Sequence, residues 1–158
     1  MCLKIIVVSD THGNTDLLGR VIGASSPFDI IVHCGDGLKD IHRADVPENS
    51  VVLKVHGNTD SSFGFDADEI LIEDILETTV MITHGHRFDV KTGLNGLLLQ
   101  AKNLNAGVVI FGHTHKQFFH KGPPLLFNPG DLSGGNYGII HASKDKEWIF
   151  EHRKIKRS

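Results

Sequence analysis

The chain has 158 residues, 40% of them hydrophobic, which is enough for one domain, residues 1–158, with a buried core. A formal net charge of −3 sets up no global field for a nucleic acid or an acidic membrane, and two cysteines, Cys2 and Cys34, exclude a disulfide framework and point to a reducing compartment. The 11 histidines stand out, because imidazole is both the commonest protein metal ligand and the side chain that titrates near neutral pH.

The first apolar run, Leu3 to Val8, is interrupted by Lys4 and stops at Ser9-Asp10. It is too short for a signal-peptide core or a membrane span, so a cytoplasmic location is expected. Ile5 to Val8 is predicted to be a strand, followed by the polar loop Ser9-Asp10-Thr11-His12-Gly13-Asn14. Asp16 to Ala24 reads as a helix with Leu17, Leu18, Val21 and Ile22 on one face. Asp29 to Cys34 is a second strand, in which Cys34 is a small buried hydrophobe rather than a catalytic thiol. It ends at Gly35-Asp36-Gly37. A short helical piece around Leu38 to Ala44 and a turn at Pro47-Glu48-Asn49 lead to a third strand, Val51 to Val55, which ends at His56-Gly57-Asn58-Thr59-Asp60. The βαβαβ spacing argues for a parallel sheet with crossover helices.

Phe63 to Asp68 reads as an irregular loop. Ile70-Leu71-Ile72 and Thr79 to Thr83 are the next two strands, the second ending at His84-Gly85-His86. Leu94 to Leu104 carries Leu94, Leu97, Leu98, Ala101 and Leu104 at helical spacing and belongs to the core. Val108 to Phe111 is a strand rich in β-branched residues that ends in Gly112-His113-Thr114-His115, where Gly112 leaves room for something bulky beside the backbone. Short strands follow at Gln117 to His120, Leu125 to Phe127, Tyr137 to His141 and Glu147 to His152, with Asn128-Pro129-Gly130 as a turn. The first half alternates strand and helix and the second half is strand-rich. The expected architecture is therefore two sheets packed face to face with helices outside. The basic tail, Arg153 to Arg157, is expected to be solvated.

At the strand ends stand Asp10, His12, Asp36, Asn58, His84, His113 and His115. All are hard or borderline ligands and none is a thiol. Seven donors exceed what one tetrahedral ion takes and match two ions sharing a carboxylate. A single Asp-x-His pair carries little weight; five strand ends that each supply ligand types carry a great deal.

The blocks Asp10-Thr11-His12, Gly35-Asp36, Gly57-Asn58, Thr83-His84-Gly85-His86 and Gly112-His113-Thr114-His115, with Asn128-Pro129-Gly130 downstream, resemble those of the calcineurin-like metallophosphoesterases. The likeness is closest to their small single-domain branch, often described as phosphodiesterases. It implies a four-layer α/β/β/α sandwich of two mixed sheets with flanking helices. It also implies a ligand set: Asp10, His12 and His115 on one metal, Asn58, His84 and His113 on the other, and Asp36 between them. The expected cofactors are two divalent ions, manganese first, with nickel, cobalt, iron or zinc also suited to such ligands. The expected reaction is hydrolysis of a small phosphodiester by a metal-activated hydroxide at a dinuclear site, with activity falling in acid as the imidazoles protonate near or below pH ~6.5. Asp36 would keep the ions close, and Asn58 would bind metal without adding charge.

Two positions depart from the family pattern. Thr59 stands where many larger members carry a histidine, and a threonine hydroxyl is a poor acid. His86 is then the candidate for protonating the leaving group, and substrates whose leaving groups need little protonation, such as aryl diesters, are expected to be favoured. Asp131 stands where serine is usual and is expected to be a solvated turn carboxylate. His33, His42, His56, His120, His141 and His152 lie outside the blocks and are expected to be structural or exposed.

Two rivals share the fold. One is a non-catalytic interaction scaffold, since a retromer coat subunit is similar; its Gly-Asp and Gly-Asn blocks are altered, whereas Asp36 and Asn58 stand here. The other is a nuclease, which needs a basic track that this sequence lacks outside its tail. No membrane partner is expected, and the family resemblance also implies self-association into a homo-oligomer.

Overall fold

A computed structural model describes residues 1–60 and 67–157; residues 63–66 of the expected loop lie outside the described residues. Strand β1 (Cys2–Val8) is followed by helix α1 (Thr15–Ser25), β2 (Ile30–His33), α2 (Leu38–Arg43) and β3 (Val51–Lys54). The rest of the chain supplies β4 (Ile70–Ile75), β5 (Thr78–Thr83), α3 (Asn95–Asn103), β6 (Val108–Ile110), β7 (Gln117–His120), β8 (Leu125–Pro129), β9 (Asn136–Ser143) and β10 (Ile149–Lys154). These form two five-stranded mixed sheets, ordered β10-β9-β1-β2-β3 and β4-β5-β6-β8-β7. In the first, β1, β2 and β3 run parallel, while β9 and β10 add antiparallel strands beside β1.

The period-two alternation of the strands decides the layering. From β1 and β2, Ile5, Val7, Ile30 and Val32 point into a central core shared with Val80, Ile82, Val108, Ile110 and Phe127 of the second sheet. Their neighbours Ile6, Val8 and Ile31 point the other way, onto Leu17, Leu18, Val21 and Ile22 of α1 and Leu38 and Ile41 of α2. On the far side Met81, Val109, Phe111 and Leu126 meet Leu97 and Ala101 of α3. Three apolar seams between four layers make the α/β/β/α sandwich, and the parallel connections bring the loops after β1, β2, β3, β5 and β6 to one end.

One local expectation is corrected. Asn128 and Pro129 are not a turn: they close β8, paired with Phe118 and Gln117, and the chain bends only at Gly130, where φ is +82°. The side chain of Asn128 has the hydrogen-bonding capacity that marks a turn, but spends it across the sheet end, as described below. The basic side chains of the tail, Arg153, Lys154, Lys156 and Arg157, are exposed as expected, while its backbone is anchored: Arg153 and Lys154 pair with Tyr137 and Asn136 and the Ile155 N–H donates to the Gly135 carbonyl.

The β4–β5 hairpin turns on Leu76 and Glu77, both left-handed at φ +49° and +67°, a geometry that favours Asn-Gly. Leu76 packs against the core, so Glu77 is the position to relieve. Glu77→Gly is expected to raise the free energy of unfolding by about 0.5–1 kcal/mol in urea denaturation. A fall would mean that the exposed Glu77–Lys144 pair at 3.1 Å matters more than the backbone.

Candidate metal centre

The candidate donors converge in two groups, each offering three side-chain atoms within 4.8 Å of one another: Asp10, His12 and His115, and Asp36, His84 and His113. In the first, Asp10 Oδ1 lies 3.5 Å from His12 Nε2 and 3.2 Å from His115 Nε2. In the second, His84 Nε2 lies 3.2 Å from Asp36 Oδ2 and 3.1 Å from His113 Nδ1. The same His84 nitrogen is 3.8 Å from Asp10 Oδ1, so the two groups adjoin. Asn58 is exposed on the turn between Gly57 and Thr59, and the Thr59 N–H donates to Asp36 Oδ1 at 2.9 Å.

Glycines at the strand ends let these loops close on each other. A Cβ on Gly57 would collide with the Asp36 carboxylate, and one on Gly112 with the Ser9 hydroxyl, so the room at Gly112 is taken by the Ser9-Asp10 loop. Asp10, His12, Asp36, His113 and His115 all adopt positive φ, between +45° and +71°. Such strain is sparsely tolerated in non-glycine residues and persists where the surroundings over-determine it.

The chemistry of the donors fits a cation. His84 Nδ1–H donates to the Cys34 carbonyl at 2.7 Å, which fixes the tautomer and turns the lone pair on Nε2 toward Asp36 and His113. Asp10 Oδ2 accepts from the Ser9 hydroxyl and the His113 N–H, but its buried Oδ1 accepts no hydrogen bond among the described residues. A buried carboxylate oxygen facing three imidazoles, with no donor of its own, calls for positive charge between them.

The titration behaviour agrees. Burial alone would raise the Asp36 carboxyl, but hydrogen bonds and charge from His84, and the Thr59 N–H, hold it well below the usual carboxylate range. Burial alone would lower His84, yet Asp36, Asp10 and the Cys34 carbonyl raise it. In the protein by itself a proton is thus favoured where a cation would sit. His113 is lowered to about 4 by burial and by the charges of His84 and Lys91, and so stays neutral.

Beneath the donors lies a supporting set of residues of which sequence reasoning anticipated only a structural His33. Asp60 is buried and accepts four backbone N–H groups: Asp36 and Gly57 on Oδ2 at 2.7 and 2.8 Å, and Gly37 and Leu38 on Oδ1 at 2.9 and 3.1 Å. Asp40 Oδ2 accepts from the Thr11 hydroxyl at 2.5 Å and the Gly13 N–H at 2.8 Å. With its proton given to Asp40, Thr11 Oγ1 takes the Nε2–H of His33 at 3.1 Å, while His33 Nδ1 accepts the Gly35 N–H. Asn128 donates to the Gly112 carbonyl and the Thr114 hydroxyl, pinning the loop that carries His113 and His115. The only signal in the sequence was a polar residue next to a strand-end block.

Asp131 is a further correction. Its side chain is only 18% exposed, accepts from Ser133 Oγ and Asn136 Nδ2, and places Oδ2 4.0 Å from His115 Nδ1. The tight turn Leu132–Gly134 folds the carboxylate back toward the centre instead of into solvent. His86 stands beside the centre, its ring 5.5 Å from that of His84 and its Nε2 3.8 Å from Glu69 Oε1. Burial and the charge of His84 lower its pKa. Cys34 is buried, and burial pushes its thiol up, away from reactivity. His152 is structural, donating to the Asn128 carbonyl and stacking on Phe127, whereas His42 and His120 are exposed.

His33 supplies a pH test. Burial lowers its pKa from 6.5 to about 4 against the opposing charges of Asp60, Asp10 and Asp40. Below pH 6.5 the unfolded chain takes up a proton that the folded chain refuses, so this contribution is complete above pH 6.5 and is lost as pH falls toward 4. The loss amounts to roughly 3 kcal/mol over the window. Urea unfolding at pH 7 and at about pH 4.5 should show the parent losing roughly 2–3 kcal/mol more than His33→Gln, which does not titrate. Equal losses would contradict it.

Residues 3–144 match the family model described as the calcineurin-like phosphoesterase superfamily domain. The chain is 27% identical over 153 residues to phosphodiesterase MJ0936 of Methanocaldococcus jannaschii, covering 87% of this chain and 89% of that one. It superposes with a TM-score of 0.80 on a predicted phosphoesterase from Streptococcus pneumoniae, 26% identical, over 98% of this chain and 90% of that one. Vps29 of Entamoeba histolytica, solved complexed with zinc, shares the fold at a TM-score of 0.71 and 18% identity, over 96% of this chain and 99% of that one.

Proposed function

The chain belongs to the calcineurin-like phosphoesterase superfamily, and from that premise we propose that it is a phosphodiesterase acting through two divalent cations. The observation that carries the reading is the pair of adjoining three-donor groups around the undonated Asp10 Oδ1. Asp10, His12 and His115 would hold one cation, Asn58, His84 and His113 the other, and Asp36 would touch both. Manganese is the proposed metal, although nickel, cobalt, iron and zinc take the same oxygen and imidazole donors. When bound, such ions supply Lewis acidity: they draw in phosphate oxygens and lower the pKa of water enough to make it a nucleophile near neutral pH.

The side chains prepare that chemistry. The Cys34 carbonyl holds His84 in the tautomer that presents a lone pair, and Asn58 offers a neutral amide oxygen that leaves the net charge favourable for an anionic diester. His12, Gly37, Lys39 and Thr59 line a cavity of about 410 Å³ that opens beside Asp36, with room for the reacting phosphate. Thr59 cannot protonate a leaving oxygen at neutral pH, and His86, with its lowered pKa, contributes a hydrogen bond rather than a ready proton. The favoured substrates are therefore diesters with good leaving groups, aryl esters first. A diester is preferred to a monoester because the relative aligned over nearly the whole chain is named a phosphodiesterase. No described helix is long and apolar enough to cross a membrane, and we place the activity in the cytoplasm.

The test is turnover of a chromogenic bis-aryl phosphate by protein stripped with a chelator, before and after manganese is restored. Hydrolysis that appears with the metal, and exceeds that of the matching aryl monoester, is expected. A protein that takes up the metal and hydrolyses neither ester would favour the scaffold reading.

A further inference from the structure

The outer face of the second sheet runs on beyond the residues that α3 covers, and there it forms another cavity, against the loop that carries His113 and His115. Its volume is about 520 Å³, in the range of small-molecule sites. Phe111 and Phe118 form one side, their rings edge to face with centroids 6.3 Å apart, and Phe118 is 36% exposed. Val90 and Leu94, from the segment leading into α3, also line it, and Lys91 and Lys116 are exposed where they line it. Thr114, which lies between His113 and His115 in the chain and whose hydroxyl is held by Asn128, also lines it, so the cavity borders the loop that carries those two donors. Lys91 is close enough to His113 for its charge to be felt there.

An apolar, aromatic-sided cavity bordered by two cationic side chains and neighbouring the candidate metal centre matches one kind of ligand group. Resting on the phosphodiesterase reading, we propose that this cavity binds an aromatic ester arm of the substrate, packed against Phe118, with Lys91 and Lys116 attracting the ligand's negative charge. The polar cavity beside Asp36 and Thr59 then receives the phosphate and the second arm. An aromatic arm is favoured over an alkyl one because ring-on-ring packing adds to the burial of apolar area, and because a rigid ring brings its contact area with few rotors to freeze. Specificity would thus reside in β7 and in the segment before α3, away from the metal donors.

Binding of non-hydrolysable phosphonates separates this selectivity from leaving-group chemistry. Zinc-loaded protein would be titrated with the monomethyl esters of 1-naphthylphosphonate and of methylphosphonate, which are monoanionic like a phosphodiester. The readouts are naphthyl fluorescence and the NMR shifts of Val90, Leu94 and Thr114. The naphthyl compound is expected to bind at least roughly tenfold more tightly, from burial of the ring. Phe118→Ala should bring the two ligands within a few-fold of each other while leaving methylphosphonate binding unchanged, and Phe118→Trp should keep the preference. Equal affinities in the parent, or a preference that survives Phe118→Ala, would overturn the cavity assignment and leave the phosphodiesterase reading standing. Failure of both phosphonates to bind the zinc-loaded protein would overturn that reading and this one with it.

Discussion

Replacing Asp36 by Asn is expected to lower kcat for a bis-aryl phosphate on the order of 10³-fold or more, roughly 4 kcal/mol of barrier, while the protein stays folded. Asp36 Oδ2 faces His84 Nε2 at 3.2 Å and Oδ1 accepts the Thr59 N–H at 2.9 Å, so the carboxylate joins three of the strand-end loops. It is also first among the groups that keep His84 raised, against burial. Removing the charge takes an anionic donor from the centre and lets the pKa of His84 fall. Asn is the informative substitution because Asp36 sits at φ +60°, where asparagine is tolerated and alanine adds backbone strain. Asp36→Ala should abolish turnover as well, with an added loss of stability of about 1 kcal/mol. The buried contacts beneath are made by the backbone N–H of residue 36, which both variants retain. Turnover by either variant within a few-fold of the parent, at saturating metal, would show that the site is wrongly assigned.

The largest effect on stability is expected at Asp60. Its two oxygens accept four backbone N–H groups from the loops after β2 and β3, all of them buried. An N–H left without an acceptor in the interior costs roughly 1–3 kcal/mol, though partial relaxation keeps the sum below four separate penalties. Asp60→Ala should therefore lower the unfolding free energy by roughly 3–5 kcal/mol. Asp60→Asn should come close to that, because its NH₂ group would confront two N–H donors that now share one carboxylate oxygen. The same loops carry Asp36 and Asn58, so metal affinity should weaken by about 10- to 100-fold in any Asp60 variant that still folds. Urea unfolding and a metal titration check both halves. A fully stable Asp60→Asn protein would mean that the loops hold themselves.

Much of the fold is legible because burial follows simple periods. Ile5 and Val7 against Ile6 and Val8, or Leu17, Leu18, Val21 and Ile22 along α1, read directly as faces, and each predicted element has a counterpart within a few residues. What period cannot carry is register and order. The start of β9 at Asn136 and the reach of β10 to Lys154 depend on antiparallel pairing between segments whose polar residues carry no burial signal. Asn128-Pro129-Gly130 misleads for a related reason: its composition is that of a turn, while its hydrogen bonds serve the Gly112–Thr114 loop.

The candidate donors are legible for a different reason, since strand ends concentrate Asp, His and Asn beside glycine. The supporting residues are not. Asp60, Asp40 and His33 act mainly on backbone groups and one hydroxyl, and a backbone N–H has no sequence identity to match. Asp131 was visible as a departure from the family pattern, but its nearness to His115 depends on how the following turn folds back.

The central claim is that the two donor groups hold two cations side by side, and crystals soaked in manganese test it most directly. Anomalous scattering is expected to show two peaks in the cleft, one bounded by Asp10, His12 and His115 and the other by Asn58, His84 and His113, with Asp36 in contact with both. A cleft that takes up no manganese, or a single ion remote from Asp10 and Asp36, would contradict it.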